Sequence, residues 1–222
     1  MSCTGINIMA IIQNNLSEEN SLIQNNNQKK SPIHDSPIVK EKMRLYLGYA
    51  PGKTTALNGV ALRALGAGLK VKLILFSKCQ ETTSESKIYQ ILKAQFPNYF
   101  DYFFAGTSRI REDGSFRFFG DTDGWNLQDE LKLEQGLRHL SNDVVSGEYD
   151  LLCIDELTDL LYHIEQRVPE KNAKLIFEAI SPTTTILITG HLCPEWLKEM
   201  ASTIVEGKVH KHYRGYTKGI EW

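Results

Sequence analysis

Eight consecutive residues, Gly48-Tyr49-Ala50-Pro51-Gly52-Lys53-Thr54-Thr55, bring together two glycines, a lysine and two threonine hydroxyls. Glycines let backbone N–H groups close around an anion, a lysine reaches phosphate oxygens, and a threonine hydroxyl ligates Mg²⁺. Lys53 and Thr54 are the residues that would act on a phosphate, with Gly48 through Thr55 as its cradle. Three residues separate Gly48 from Gly52, where the common phosphate loop has four. A plain Gly-Pro turn leading into a Lys-Thr helix start is the alternative.

A second signal is Leu151-Leu152-Cys153-Ile154-Asp155-Glu156, an apolar run that ends in two carboxylates. Carboxylates at the C-terminal end of a parallel strand stand where open α/β sheets bind ligands, and they can hold Mg²⁺ (or Mn²⁺). The same Asp155 could instead cap the following helix. Thr54, Asp155 and Glu156 form the candidate metal set, with the order of Asp155 and Glu156 left open. The third signal is Thr189-Gly190-His191, which again follows an apolar run and precedes Pro194. His191 there faces either a ligand or solvent. His210 and His212 alternate as on a strand, with no third ligand in sight, and His34, His139 and His163 stand alone.

These residues need elements to hold them. Met43–Leu47, Val71–Phe76, Leu151–Ile154 and Thr185–Thr189 read as strands, rich in branched and apolar side chains. Between them, helical spacing runs from Lys53 to about Leu65, over Ser84–Gln95, over Leu127–Val145 (Leu127, Leu131, Leu133, Leu137, Leu140, Val144) and over Leu157–Ile164. A short helix over Pro194–Ala201 places proline in its first turn. Tyr99–Phe104 and Phe116–Phe119 read as a strand and a hairpin edge, and Thr203–Val205 and Val209–His212 as closing strands. Strands alternating with helices imply right-handed crossovers and a mostly parallel sheet covered on both faces.

The first 40 residues differ from the rest. Seven of twelve asparagines fall within the first 27 positions, and the expectation is a flexible Asn-rich arm at 1–40 followed by one domain at 41–222. Ile6–Ile12 is apolar but lacks the basic flank and cleavage site of a signal peptide. No run reaches the ~18 apolar residues of a membrane span. Over 222 residues, 25 basic side chains meet 27 acidic ones. That balance argues against a broad nucleic-acid surface, which leaves a basic excess. Cys3, Cys79, Cys153 and Cys193 form no C-x-x-C pair, so a reducing, cytoplasmic location is expected.

Taken together, the shortened loop Gly48–Thr55, the Asp-Glu-Leu at 155–157 and the C-terminal run Ile188-Thr189-Gly190-His191-Leu192-Cys193-Pro194-Glu195-Trp196-Leu197 through Lys211-His212 to Gly219–Trp222 resemble the ATP:corrinoid adenosyltransferases. The resemblance implies a P-loop NTPase-like α/β fold and transfer of the 5′-deoxyadenosyl group of ATP to the Co(I) of a reduced corrinoid, with release of triphosphate. It implies Trp125 as an aromatic against the corrin, and an electron-donating flavoprotein reductase as partner. A homodimer in which an N-terminal segment covers the neighbouring site would also match the family. This chain departs from the family pattern at Tyr49-Ala50-Pro51, where Asn-Gly-Lys is usual, and at Asp123, where an aromatic is expected. The stretch between His212 and Gly219 is also shorter. A P-loop ATPase or kinase cleaving at the γ-phosphate, and a non-catalytic ATP-binding adaptor, are the rival readings.

Overall fold

Segments that are apolar at nearly every position become the deepest strands. A computed structural model describes residues 42–117, 121–162 and 168–211. Among them six strands form one sheet: β1 (Met43–Leu47), β2 (Val71–Phe76), β3 (Phe100–Ala105), β4 (Leu151–Asp155), β5 (Thr185–Gly190) and β6 (Thr203–Glu206). The spatial order is β3-β2-β4-β5-β1-β6, and every neighbouring pair is parallel. β2 and β4 are buried at every position, as strands covered on both faces must be.

Alternate residues of each strand feed two separate cores. On one face, Leu73, Leu75 and Cys153 pack with Leu57 and Ala61 of α1 (Lys53–Gly66) and Tyr89 of α2 (Ser86–Gln95). On the other, Leu45, Ile74, Ile154 and Ile188 meet the remaining four helices. These are α3 (Leu127–Ser146), α4 (Leu157–Tyr162), α5 (Glu170–Glu178) and α6 (Glu195–Met200). The chain steps from β1 to β2 to β3 in one direction and then back through β4, β5 and β6. Right-handed crossovers therefore send α1 and α2 to one face and the later helices to the other. Apart from the edge pair β3 and β2, connections leave neighbouring strands toward opposite faces at two places, between β1 and β5 and between β2 and β4. Both places open a crevice beyond the C-terminal strand ends.

The structure corrects several expectations. Leu127 and Leu131 belong to α3 but are 71% and 41% exposed. Its buried stripe begins at Leu133 and runs through Leu137, Leu140 and Val144. Phe116 pairs with Ile110 in an isolated antiparallel bridge across Asp113-Gly114, and Phe118 and Phe119 lie outside the described residues. Val209, His210 and Lys211 form no strand, and β6 is the edge strand beside β1. Pro194 sits at the N-cap of α6, one residue before its first turn. The helix α5 was not expected, although Ala173, Ile176 and Phe177 bury with helical spacing. The arm at 1–40, Ile164, His34, His163, and the run from His212 to Trp222 fall outside the described residues.

Candidate nucleotide-binding site

β1 ends at Leu47 and the chain turns at Gly48, whose φ is 101°. Its N–H donates to His191 O at 3.1 Å, and the Gly207 N–H donates to Leu47 O at 3.0 Å. A Cβ on Gly48 would meet Gly207 O at 3.1 Å and Glu206 Cγ at 3.3 Å. Glycine thus satisfies both the left-handed turn and the close passage of the chain leaving β6. Gly52, also left-handed at φ 99°, is the N-cap of α1. α1 has no side-chain cap and no acid in its first turn. α3 differs, with a capping box of Asn126 and Asp129. The first N–H groups of α1 are therefore left to whatever enters the loop.

Lys53 curls over this loop, its Nζ donating to Gly48 O at 2.6 Å and Ala50 O at 3.2 Å. Burial lowers its pKa, against the opposing pull of Asp159, Glu156 and Asp155. Ala50 is buried under Gly207, while Pro51 and Thr55 are exposed. Tyr49 is 69% exposed, with its ring centroid 5.2 Å from that of His191.

Asp155, fully buried at the end of β4, is the hub of the crevice. Its carboxylate accepts from Thr54 Oγ1 at 3.2 and 3.1 Å, from Thr189 Oγ1 at 2.5 Å and from Lys78 Nζ at 2.6 Å. Glu156 takes a left-handed φ of 59°. Its N–H donates to Thr189 Oγ1 at 3.0 Å, and its Oε1 lies 3.7 Å from Lys78 Nζ. Enclosure raises the Glu156 carboxyl above the ordinary carboxylate range, with Lys78 opposing and Asp155 and Asp159 reinforcing the rise. Burial alone would lower the Lys78 ammonium, but the carboxylates of Asp155 and Glu156 outweigh it and hold the pKa above its usual value.

The donor set suits a hard divalent cation: one hydroxyl and one or two carboxylates, with no thiol or imidazole among them. Among the described residues no group of three His, Cys, Asp or Glu side chains forms a cage. A Mg²⁺ ion held by Thr54 with Asp155 or Glu156 would take its remaining ligands from phosphate and water, its usual preference.

His191 is fixed by Asp159 of α4. The His191 and Leu192 N–H groups donate to Asp159 Oδ1 at 2.9 and 3.3 Å, and His191 Nδ1 lies 2.9 Å from Oδ2. Burial would raise the Asp159 pKa, yet these bonds from His191 hold it below the ordinary value. Trp125 stands apart from the loop, half-buried against the α3 core, its Nε1–H donating to Glu130 Oε2 at 2.7 Å. Asp123 is engaged by Arg111, Nε to Oδ2 at 2.9 Å and Nη2 to Oδ1 at 2.7 Å. His139 packs on Phe103 with centroids 4.0 Å apart. Cys79, Cys153 and Cys193 are buried free thiols. Sequence reasoning found Lys53, Thr54, Asp155, Glu156 and His191. It missed Lys78, Thr189 as a ligand of Asp155, and Asp159. The available signals were a lysine just past the second strand and a carboxylate four residues beyond Asp155.

A glycine-bounded loop between β1 and α1, a lysine curled over it, and a threonine bonded to a strand-end aspartate belong to a P-loop NTPase-like α/β fold. Within that class the family model described as ATP:corrinoid adenosyltransferase BtuR/CobO/CobP matches residues 40–222, and the chain belongs to this family. It is similar to the corrinoid adenosyltransferase of Pseudomonas aeruginosa, 22% identical over 194 residues that cover 83% of this chain and 86% of the relative. It is also similar to the corrinoid adenosyltransferase of Escherichia coli, 25% identical over 174 residues, 76% of each chain. Among solved structures, that of a DNA replication initiation factor gives a TM-score of 0.36 at 12% identity, over 76% of this chain and 40% of its own. So distant a likeness has no bearing on function. Among the described residues no helix is long and apolar enough to cross a membrane.

Proposed function

We propose that this chain transfers the 5′-deoxyadenosyl group of ATP to the Co(I) centre of a reduced corrinoid. The cobalt electron pair forms the bond to C5′, the C5′–O bond breaks, and its electrons leave on the triphosphate. The observation that carries this reading is the meeting of the Gly48–Thr55 loop, Lys53 and the Thr54–Asp155 pair at one sheet edge in a member of this family. The nucleophile belongs to the corrinoid, so the protein needs no general base and contributes orientation and leaving-group stabilisation. Loop N–H groups and Lys53 would hold the triphosphate. Mg²⁺ (or Mn²⁺) on Thr54 with Asp155 or Glu156 would supply further charge neutralisation. Trp125 would offer the corrin an apolar surface. Because the corrinoid must arrive as Co(I), an electron-donating flavoprotein reductase is the expected partner, and the cytoplasm the expected place, with a homodimer as an assembly that the family resemblance allows.

A second reading has one observation in its favour. Glu156 stands beside Asp155 at the end of β4, with Oε1 3.7 Å from Lys78 Nζ, where a carboxylate could serve as the base that activates water against the γ-phosphate. One assay separates the readings. Cob(I)alamin is supplied anaerobically with Mg-ATP while the corrinoid spectrum and the phosphate products are followed. An alkyl-cobalt spectrum with stoichiometric triphosphate supports adenosyl transfer; ADP and phosphate without it would support the ATPase. Tight ATP binding without turnover would indicate an adaptor. Lys53→Ala should weaken ATP binding or turnover by roughly 10²-fold, as loss of one preorganised charge donor does, with the circular-dichroism melt unchanged. Full activity in that variant would show that the loop does not hold phosphate.

A further inference from the structure

Lys78 is aimed by two separate features of the backbone. Ser77, just past β2, has φ 58°, a left-handed conformation that a non-glycine residue keeps only when its surroundings enforce it. Across from it, Gly106 follows β3 so closely that a Cβ there would clash with Lys78 N and Ser77 C. Ser77 turns the chain and Gly106 lets it lie down. The product is an ammonium 2.6 Å from Asp155 Oδ2, 3.0 Å from Thr54 Oγ1 and 3.7 Å from Glu156 Oε1. Those are the oxygens of the candidate metal set.

An ammonium and a divalent cation cannot both occupy one small set of oxygens, since each repels the other in a poorly solvated crevice. A buried aspartate beside a glutamate also keeps its charge only with a cation to balance it, and otherwise takes up a proton. We propose that Lys78 is a tethered cation that occupies the metal-binding oxygens, excludes free divalent ions from them, and moves to phosphate oxygens when a metal–triphosphate complex displaces it. Metal and nucleotide then enter together, and Lys78 joins Lys53 as a second ammonium on the triphosphate. The inference rests on the reading of Thr54 and Asp155 as metal ligands.

The test uses Mn²⁺ as the probe and the full chain. Electron paramagnetic resonance counts free Mn²⁺ during titration of the wild-type protein, with and without inorganic tripolyphosphate, and protein-free titrations subtract the Mn²⁺ that tripolyphosphate holds by itself. Uptake should be strong only with tripolyphosphate, and Lys78→Met should take up Mn²⁺ alone roughly tenfold more tightly, a usual size for coupling between ligands. Lys78→Arg, which keeps the charge, should exclude Mn²⁺ as the wild type does. Calorimetry should show Lys78→Met binding Mg-tripolyphosphate roughly tenfold more weakly. Equal Mn²⁺ uptake by the wild-type protein with and without tripolyphosphate overturns the proposal and leaves the metal ligands standing. No uptake under either condition removes the metal-site reading together with the proposal. Where Lys78→Met fails to fold, Lys78→Gln takes its place with the same expected outcomes, and the wild-type comparison can still overturn the proposal.

Discussion

Asp159 shows how one side chain can build a site without belonging to any recognisable motif. Its carboxylate takes three bonds from the turn after β5: the N–H groups of His191 and Leu192 and the His191 ring. That turn also supplies the carbonyl that receives the Gly48 N–H, so Asp159 fixes one wall of the phosphate loop from a distance. Hydrogen bonds to a charged acceptor are worth ~1.5–3 kcal/mol in net stability. Asp159→Ala should therefore lower unfolding free energy by about that amount in urea titrations and raise the ATP Kd several-fold. His191→Ala, which removes only the ring contact, should cost less. An ATP affinity untouched by Asp159→Ala would show that the β5 turn does not shape the loop. The eight loop residues were legible in the sequence because their chemistry is contiguous. Asp159 and Lys78 were not, because each is one ordinary charged residue until folding brings it to Asp155 or His191.

At the scale of elements, the site depends on how closely α3 lies on the sheet. Gly136 is the contact point: a Cβ there would meet Ala105 Cβ at 2.5 Å and Phe76 Cε1 at 2.7 Å. Phe76 and Ala105 are the last residues of β2 and β3, immediately before Ser77 and Gly106. Alanine gains ~0.8–1 kcal/mol over glycine in helix propensity. Overpacking a tight core contact costs ~1–3 kcal/mol, and the backbone-anchored Ala105 has little room to yield. Gly136→Ala should accordingly lower the denaturant midpoint, and a more stable variant would mean that α3 can slide. Helix existence was legible from apolar spacing, yet Leu127 and Leu131 fitted the period and turned out exposed. Periodicity gives a stripe, but only the neighbouring elements decide how far along the helix that stripe is covered. The same reason hid α5, a nine-residue helix whose three buried residues gain meaning only against α3 and the sheet.

Stability as a function of pH belongs to the whole molecule, and one pair far from the loop should mark it. Lys72 on β2 and Asp143 on α3 meet at 2.6 Å, both nearly enclosed. Burial pushes the Asp143 carboxyl from 3.8 up to about 6, with Lys72 tempering the rise and Glu148 and Asp101 adding to it. The folded protein therefore binds more protons than the unfolded chain between these values. The contribution of Asp143 is complete below the lower one and lost as pH rises through the upper. The Tm of the wild type should fall relative to that of Asp143→Asn across this window, and a constant difference between the two would show the carboxyl to be ordinary. The sequence by itself determined the α/β class, the glycine-bounded loop with its Lys-Thr pair, and the Asp155-Glu156 strand end. Those signals are local: apolar runs, helical spacing, and glycines beside a Lys-Thr pair. Only the tertiary structure decided which distant residues join them. The strand order sets β2 beside β4 and inserts β5 between β4 and β1. That order brings Lys78 and Thr189 onto Asp155 and places His191 against Tyr49. Strand order follows from how all the helices pack on the two faces at once, a balance of many weak contacts that no short stretch of chain encodes.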